Sequence, residues 1–184
     1  MRKPFTLLIS ALLSLSFTPS YAETKPIKDW TIAVFLNADN NLDRYGMEDQ
    51  KEMAKVGSND FMNIVTLIDR EKGPAQINYI EKDNIKKIKD LGELNMGDYK
   101  EFIKFVKFIK ANYPAKHYSF TFWNHGSGWR NKSEKNIFKG ISYDDSSNSY
   151  ITTNQLNIAL KEANKILGKK NRRFKFRCLF NAND

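Results

Sequence analysis

The sequence predicts an α/β domain with a mostly parallel central sheet and helices on both faces. Three observations carry that prediction. Continuous apolar runs rich in β-branched and aromatic residues occupy 30–36 (WTIAVFL), 62–68 (MNIVTLI) and 118–123 (YSFTFW), and such runs suit strands buried on both sides. Segments with apolar residues at helical spacing alternate with them, as strand–helix–strand units require. The runs also pass into clusters of Asn, Asp or Gly, so the chain turns beyond the strands' carboxyl ends, where open α/β sheets bind ligands.

Ahead of these elements, Arg2 and Lys3 form a basic start, and 5–17 is an apolar stretch too short to span a bilayer as a stable helix. Ser20-Tyr21-Ala22 is a small-x-small cleavage site, so 1–22 reads as a secretory signal peptide. The alternative is a short membrane anchor. Cleavage after Ala22 leaves 23–184, one domain with chain enough for a sizeable core. No second apolar run follows, so the expectation is an exported protein, periplasmic or extracellular, without a membrane association.

The first strand, 30–36, runs into the turn-and-cap cluster Asn37-Ala38-Asp39-Asn40-Asn41, and 42–56 reads as a helix ended by Gly57-Ser58-Asn59. The strand at 62–68 is closed by Asp69-Arg70, and 76–80 with 85–91 resemble a strand pair. Asp98 is a good N-cap for a helix that places Tyr99, Phe102, Ile103, Val106, Ile109 and Tyr113 on one face and stops at Pro114. The strand at 118–123 follows, then a basic loop at 130–139, a short extended piece at 140–143 and a turn at 144–148. Thr152 and Gln155 form a capping box for a helix that Gly168 ends, and 174–180 (FKFRCLF) is placed as the last strand.

Charge and cysteine usage exclude several functions. The net charge of +9 invites a nucleic-acid reading. However, Arg2 and Lys3 belong to the signal, and Lys165, Lys169, Lys170, Arg172, Arg173, Lys175 and Arg177 crowd into one tail, leaving a body close to neutral. A nucleic-acid site needs a basic face, whereas a charge run at a chain end reads as a solvated tail, so no nucleic-acid partner is expected. Cys178 is the one cysteine, so no internal disulfide forms. Two histidines and one cysteine do not make a closed zinc site.

Candidate chemistry centres on the stretch HYSFTFWNHGSGW at 117–129. His125 stands just past a strand end, where a general base or metal ligand is useful; it could equally be a turn histidine that caps the strand. A Cys178 thiol on a neighbouring strand would make a Cys–His pair, the histidine drawing off the thiol proton before the thiolate attacks a carbonyl. Backbone N–H groups of Gly126-Ser127-Gly128 could hold the oxyanion. Ser127 is a weaker nucleophile candidate, because H-G-S-G is not the G-x-S-x-G elbow. Asp144-Asp145 could bind a hard cation, although two adjacent acids usually mark only a turn. The residues taken alone therefore imply no metal site and no cofactor.

Several separated motifs, in order, resemble the clostripain-like cysteine peptidases: WTIAVFLNADNNLD, VTLIDR, LGELNMGD, YPAKHYSFTFWNHGSGW, GISYDD and the T-x-x-L-x-x-A-L helix start at 153–160. The resemblance covers about 30–170. It implies a caspase-like three-layer α/β sandwich with a mostly parallel central sheet, here incomplete at its C-terminus, so that 23–184 is the N-terminal portion of a peptidase domain. It also implies a Cys–His dyad, peptide or protein substrates cleaved after Arg or Lys, activation by cleavage in a loop such as 130–139, and calcium as the one cofactor to look for. The histidine of the N-H-G-S-G-W motif maps to His125.

The match fails at the expected nucleophile. The family carries Asp-Ala-Cys-Leu-Met on the next core strand, and this chain has Phe176-Arg177-Cys178-Leu179-Phe180. Aligned on the cysteine, the acid that helps hold a basic substrate side chain becomes Phe176, and the alanine becomes Arg177. Residues 177–184 can be encoded as AGA TGC TTG TTT AAT GCA AAT GAT, which one base later reads Asp-Ala-Cys-Leu-Met-Gln-Met. The expectation is a truncated or frameshifted product, inactive or poorly folded as written, in which Cys178 stands in for the true nucleophile. Two other classes stay open: a non-catalytic caspase-like binding or regulatory module, and a basic tail that binds anionic lipid or nucleic acid.

Overall fold

The computed structural model describes residues 26–125 and 140–168 together with the backbone of 175–179. The segment expected to be a signal peptide, the expected glycine turn at 126–129, the basic stretch at 130–139 and the stretch at 169–174 lie outside the described residues. The elements run β1 (Lys28–Ala38), α1 (Asp43–Val56), β2 (Met62–Arg70), β3 (Gly73–Glu81), β4 (Asn84–Gly92), α2 (Tyr99–Asn112), β5 (Ala115–Trp123), β6 (Gly140–Asp144), β7 (Ser149–Thr152), α3 (Thr153–Leu167) and β8 (Lys175–Leu179).

Six strands form one sheet in the order β4-β3-β2-β1-β5-β8, and β6 with β7 makes a separate hairpin. β1 pairs in parallel with both β2 and β5, and β5 in parallel with β8. β3 and β4 add an antiparallel edge. The expected mostly parallel sheet between helices is therefore the observed architecture. The strand at 76–80 and its partner at 85–91 form the hairpin that their sequence suggests, and each is longer than the apolar run inside it.

Period-2 alternation divides the strands between two faces. Ala33, Phe35, Val65, Leu67, Tyr118, Phe120 and Phe122 share one core with Phe102, Phe105, Val106 and Ile109 of α2 and Ala159, Ala163 and Leu167 of α3. Val34, Leu36, Ala38, Ile68 and Trp123 face the other way, where Met47 and Met53 of α1 pack on them. The larger core is aromatic. Phe102 meets Phe35 and Phe120 edge-on, with centroids 5.6 Å apart in each pair, and Phe35 meets Phe122 at 5.2 Å. Each such pair is worth about 0.5–1.5 kcal/mol beyond the burial itself.

The helix ends follow the predicted chemistry. The Asp98 side chain accepts from the Lys100 amide, and Tyr113 ends α2 directly before Pro114. Both halves of the Thr152–Gln155 capping box are made, and Gly168 caps α3 with φ of 85°, a left-handed value that glycine adopts without strain.

Two elements differ from the sequence reading. β5 begins at Ala115, before its apolar run, because Ala115 aligns with Lys28 of β1 and its amide donates to the Tyr118 hydroxyl. The turn at 144–148 returns into a strand, β7, that periodicity did not disclose. At four residues it is too short to display a pattern.

Candidate active site

The parallel strands β1, β2 and β5 end on one side of the sheet, at Ala38, Arg70 and Trp123. Polar residues crowd there although little of their surface meets water. Asn37, Asp39, Asn40, Asp69, Asn124, Ser142 and Asp144 are all buried. Most buried polar groups are hydrogen-bonded, and the bonds here clamp the β6–β7 hairpin onto the strand ends.

Asn124 is the centre of that clamp. Its Nδ2 donates to the carbonyls of Asn37 (2.8 Å) and Tyr143 (2.9 Å), and its Oδ1 accepts from the Tyr143 amide (2.8 Å). One side chain therefore joins β1, β5 and β6. Asn40 Nδ2 also donates to the Tyr143 carbonyl at 3.0 Å. Asn37 Nδ2 donates to Ser142 Oγ (3.1 Å), which in turn donates to the Met96 carbonyl (2.8 Å). Ser142 holds φ at 58° to do so, a conformation a non-glycine residue adopts only where its surroundings compel it.

His125 follows Asn124 directly and stands half-buried at this edge. Its Nε2 lies 2.7 Å from Asn41 Oδ1. An amide oxygen only accepts, so Nε2 carries the hydrogen and the neutral ring keeps its lone pair on Nδ1. Cys178 lies on β8, whose backbone pairs with β5 so that Cys178 aligns with Phe122 and Leu179 with Trp123. Cys178 thus lies on the strand adjacent and parallel to β5, and His125 follows the end of β5 by two residues. The Gly126-Ser127-Gly128 turn lies outside the described residues.

A group of carboxylates shares this edge. Asp39, Asp69 and Glu93 each bring one oxygen to within 4.8 Å of the others. Asp39 accepts from the Ser146 amide and hydroxyl. Asp144 is saturated by the amides of Met96 (2.8 Å) and Ser147 (2.9 Å). Asp69 is fully buried. Its Oδ1 accepts from the Arg70 amide at 3.0 Å, and its Oδ2 has no hydrogen-bond partner.

Burial raises the Asp69 carboxyl to about 8, with the neighbouring Glu93 charge adding to it. Asp39 is raised by burial and by Asp144, against hydrogen bonds from Ser146 that lower it. Glu93 is raised by desolvation and then by Asp39 and Asp144. Arg70 does not neutralise the group, because its guanidinium pairs with Asp43 through bonds of 2.8 and 2.9 Å. The sequence reading passed over Asp39 and Asp69 as turn and strand-end residues and left Glu93 unremarked. Their one shared signal is that each follows or closes a strand. Asp144, a cation candidate by sequence, uses one oxygen to hold its own turn and the other to hold the Met96 amide.

Comparison with known proteins gives a consistent result. The model of the clostripain family matches residues 34–168. Clostripain of Hathewaya histolytica is 30% identical over 195 aligned residues, covering 79% of this chain and 37% of clostripain. A secreted C11 cysteine protease from Bacteroides thetaiotaomicron, solved with an irreversible peptide inhibitor, superposes with a TM-score of 0.57 at 23% identity, over 74% of this chain and 40% of that one. Another structure of a secreted C11 cysteine protease from that organism, called iotapain, superposes with a TM-score of 0.57 at 16% identity, over 85% of this chain and 47% of that one. At these identities the structural likeness concerns the fold. The chain spans 37% of the length of clostripain.

Proposed function

The chain belongs to the clostripain family of cysteine peptidases, and we propose that it carries the histidine side of a Cys–His dyad that hydrolyses peptide bonds. His125 takes the proton from a cysteine thiol. The thiolate adds to the scissile carbonyl, and the protonated imidazole then gives its proton to the leaving amine. Water, deprotonated by the same imidazole, releases the acyl group and restores the thiol. Cys178 is the nucleophile this chain offers.

The observation that carries this reading is the β5–β8 pairing, which sets Cys178 in register with Phe122, three residues before His125. Support comes from Asn41, which selects one imidazole tautomer, and from the Asn124 clamp beneath it.

Cleavage after Arg or Lys is the substrate class we assign, with a reservation that is chemical. Phe176 and Arg177 stand where relatives carry an acid and an alanine. Arg177 would favour thiolate at Cys178 and would repel a basic substrate side chain. The chain as written is therefore expected to cleave nothing. Fluorogenic Arg and Lys peptides test it: turnover that disappears in both Cys178→Ala and His125→Ala would establish the dyad and overturn the expected inactivity. The nucleotide sequence tests the cause. If no single-base change between codons 168 and 177 restores Asp-Ala-Cys-Leu-Met, the frameshift explanation is wrong.

Export follows from the proposed signal peptide at 1–22, and N-terminal sequencing of the exported protein should begin at Glu23. The same two substitutions, Phe176 for the acid and Arg177 for the alanine, favour a second reading, a non-catalytic module that binds an intact relative or a peptide. Capture of a partner peptide without its cleavage would support it.

A further inference from the structure

We propose that the cavity between α1 and the β3–β4 edge of the sheet binds a small neutral primary carboxamide, held by the side-chain amides of Gln50 and Asn78. The cavity measures about 270 Å³ and shares no residue with the proposed dyad.

Gln50 of α1 and Asn78 of β3 line it at only 1% and 3% exposure. Gln50 Oε1 accepts from Thr66 Oγ1 (2.8 Å) and from Asn78 Nδ2 (3.0 Å), so both of its lone pairs are used. The other end of each amide is not satisfied. Asn78 Oδ1 has no hydrogen-bond partner among the described residues. Gln50 Nε2 faces the Met47 sulfur at 3.9 Å, a weak acceptor at a long distance. Most buried polar groups are hydrogen-bonded, and this pair is short of one donor and one acceptor.

A primary carboxamide carries both on one planar group. It donates to Asn78 Oδ1 and accepts from Gln50 Nε2. The match survives turning over both side-chain amides, which keeps the bond between them and that to Thr66. Asn78 then donates, Gln50 accepts, and the ligand reverses. A carboxylate brings no donor and an ammonium no acceptor.

Charge argues the same way. Arg70 and Lys87 line the cavity, but Arg70 Nε pairs with Asp43 at 2.8 Å and Lys87 Nζ with Asp90 at 3.5 Å. An ion seated against the two amides would be buried without a counter-charge, which is costly.

The remaining lining suits a compact apolar body. Met47, Ile68 and Ile85 supply walls, and the exposed Gly73 and Pro74 mark the way in. Met47 is unbranched, with three rotatable bonds, so it can turn from Gln50 and bare the amides while α1 stays in place.

Benzamide is the probe, and the test needs no turnover. The full chain, shown by circular dichroism to be folded, is titrated while the side-chain NH₂ signals of Gln50 and Asn78 and the methyl signals of Met47 and Ile68 are followed by NMR. Saturable shifts of those groups are expected in the millimolar range, as suits so small a ligand. Benzoate and benzyl alcohol should bind about tenfold more weakly or worse, because neither satisfies both amides. Asn78→Leu replaces the unsatisfied group by an apolar one of similar size and should weaken benzamide by about tenfold or more. Ile85→Phe, on the edge strand, should fill the cavity and do the same.

Benzyl alcohol bound as tightly as benzamide would overturn the proposal, because the cavity would then be read by its apolar walls alone. A folded parent chain that shows no saturable shifts would overturn it as well, and so would either variant that folds and binds benzamide with the parental affinity. If Asn78→Leu fails to fold, Ile85→Phe decides alone.

Discussion

His125 and Asn41 meet across the ends of two neighbouring parallel strands, Nε2 lying 2.7 Å from the amide oxygen. Asn41 belongs to the turn that follows β1, and His125 comes two residues after β5. The contact therefore depends on the β1–β5 register, in which Leu36 aligns with Trp123. The amide oxygen holds the ring in the Nε2–H form and leaves Nδ1 as the basic nitrogen.

Asn41→Ala should release that constraint while leaving the fold intact. The exposed end of the bond contributes modestly, so the loss of stability should be about 0.5–1.5 kcal/mol. Nitrogen-15 spectra of the labelled imidazole should show one tautomer in the parent and a mixture in the variant. An unchanged tautomer would mean that another group orients His125.

Asn124→Ala should cost more. It removes two donated bonds and one accepted bond at a side chain only 5% exposed. Two carbonyls and the Tyr143 amide are left to find other partners, and each buried orphan costs about 1–3 kcal/mol. A loss of about 2–5 kcal/mol in denaturant unfolding is expected. Faster hydrogen exchange at Tyr143 should accompany it, because the β6–β7 hairpin is tied to the sheet through that amide.

Gly46→Ala sets two effects against each other on α1. Replacing a helical glycine gains about 1 kcal/mol in propensity. A Cβ there would lie 2.7 Å from Leu36 Cδ2 and 2.9 Å from Ala38 Cβ. Leu36 can turn aside, but the Ala38 Cβ has no rotamer to change and moves only with the β1 backbone. Overpacking of this kind costs about 1–3 kcal/mol, so we expect a net loss of stability, read as a lower urea midpoint with an unchanged slope. A rise in the midpoint would show that α1 can lift from the sheet.

The sheet was legible because its strands announce themselves. Buried on both faces, β1, β2 and β5 are written in apolar runs that no other element explains. Phe105 lies outside the predicted α2 face because the buried arc of α2 is wider than one stripe at helical spacing, and the four residues of β7 carry no period. The site was legible only at His125, where a strand, a histidine and a glycine turn adjoin in sequence. The carboxylates were not, because Asp39, Asp69 and Glu93 are 24 or more residues apart. Each alone reads as an ordinary turn residue, and strand order alone brings them together. Gln50 was hidden for a similar reason. Its Oε1 accepts from Thr66 Oγ1 (2.8 Å) and Asn78 Nδ2 (3.0 Å) beneath α1, a buried polar network inside what composition suggests is an apolar layer.

Asp69 gives the fold a pH dependence opposite to that of a salt-bridged acid. Its carboxyl is raised from 3.8 to about 8, first by burial and then by the charge of Glu93. The folded state therefore keeps this proton up to about pH 8, while the unfolded chain releases it near pH 4. Between those limits the native state binds the extra proton, so stability falls as pH rises, by at most about 1.4 kcal/mol per pH unit. The contribution is complete below the unfolded value and is lost as pH climbs through the folded one. Asp39 and Glu93 are raised as well and add to the slope in the same direction. In chelator-containing buffer, urea unfolding between pH 5 and pH 8 should show the decline, and Asp69→Asn should flatten it and be the more stable protein at pH 8. A parent chain whose stability is level across that range, or a variant that declines just as steeply, would mean that Asp69 is ionised in the fold.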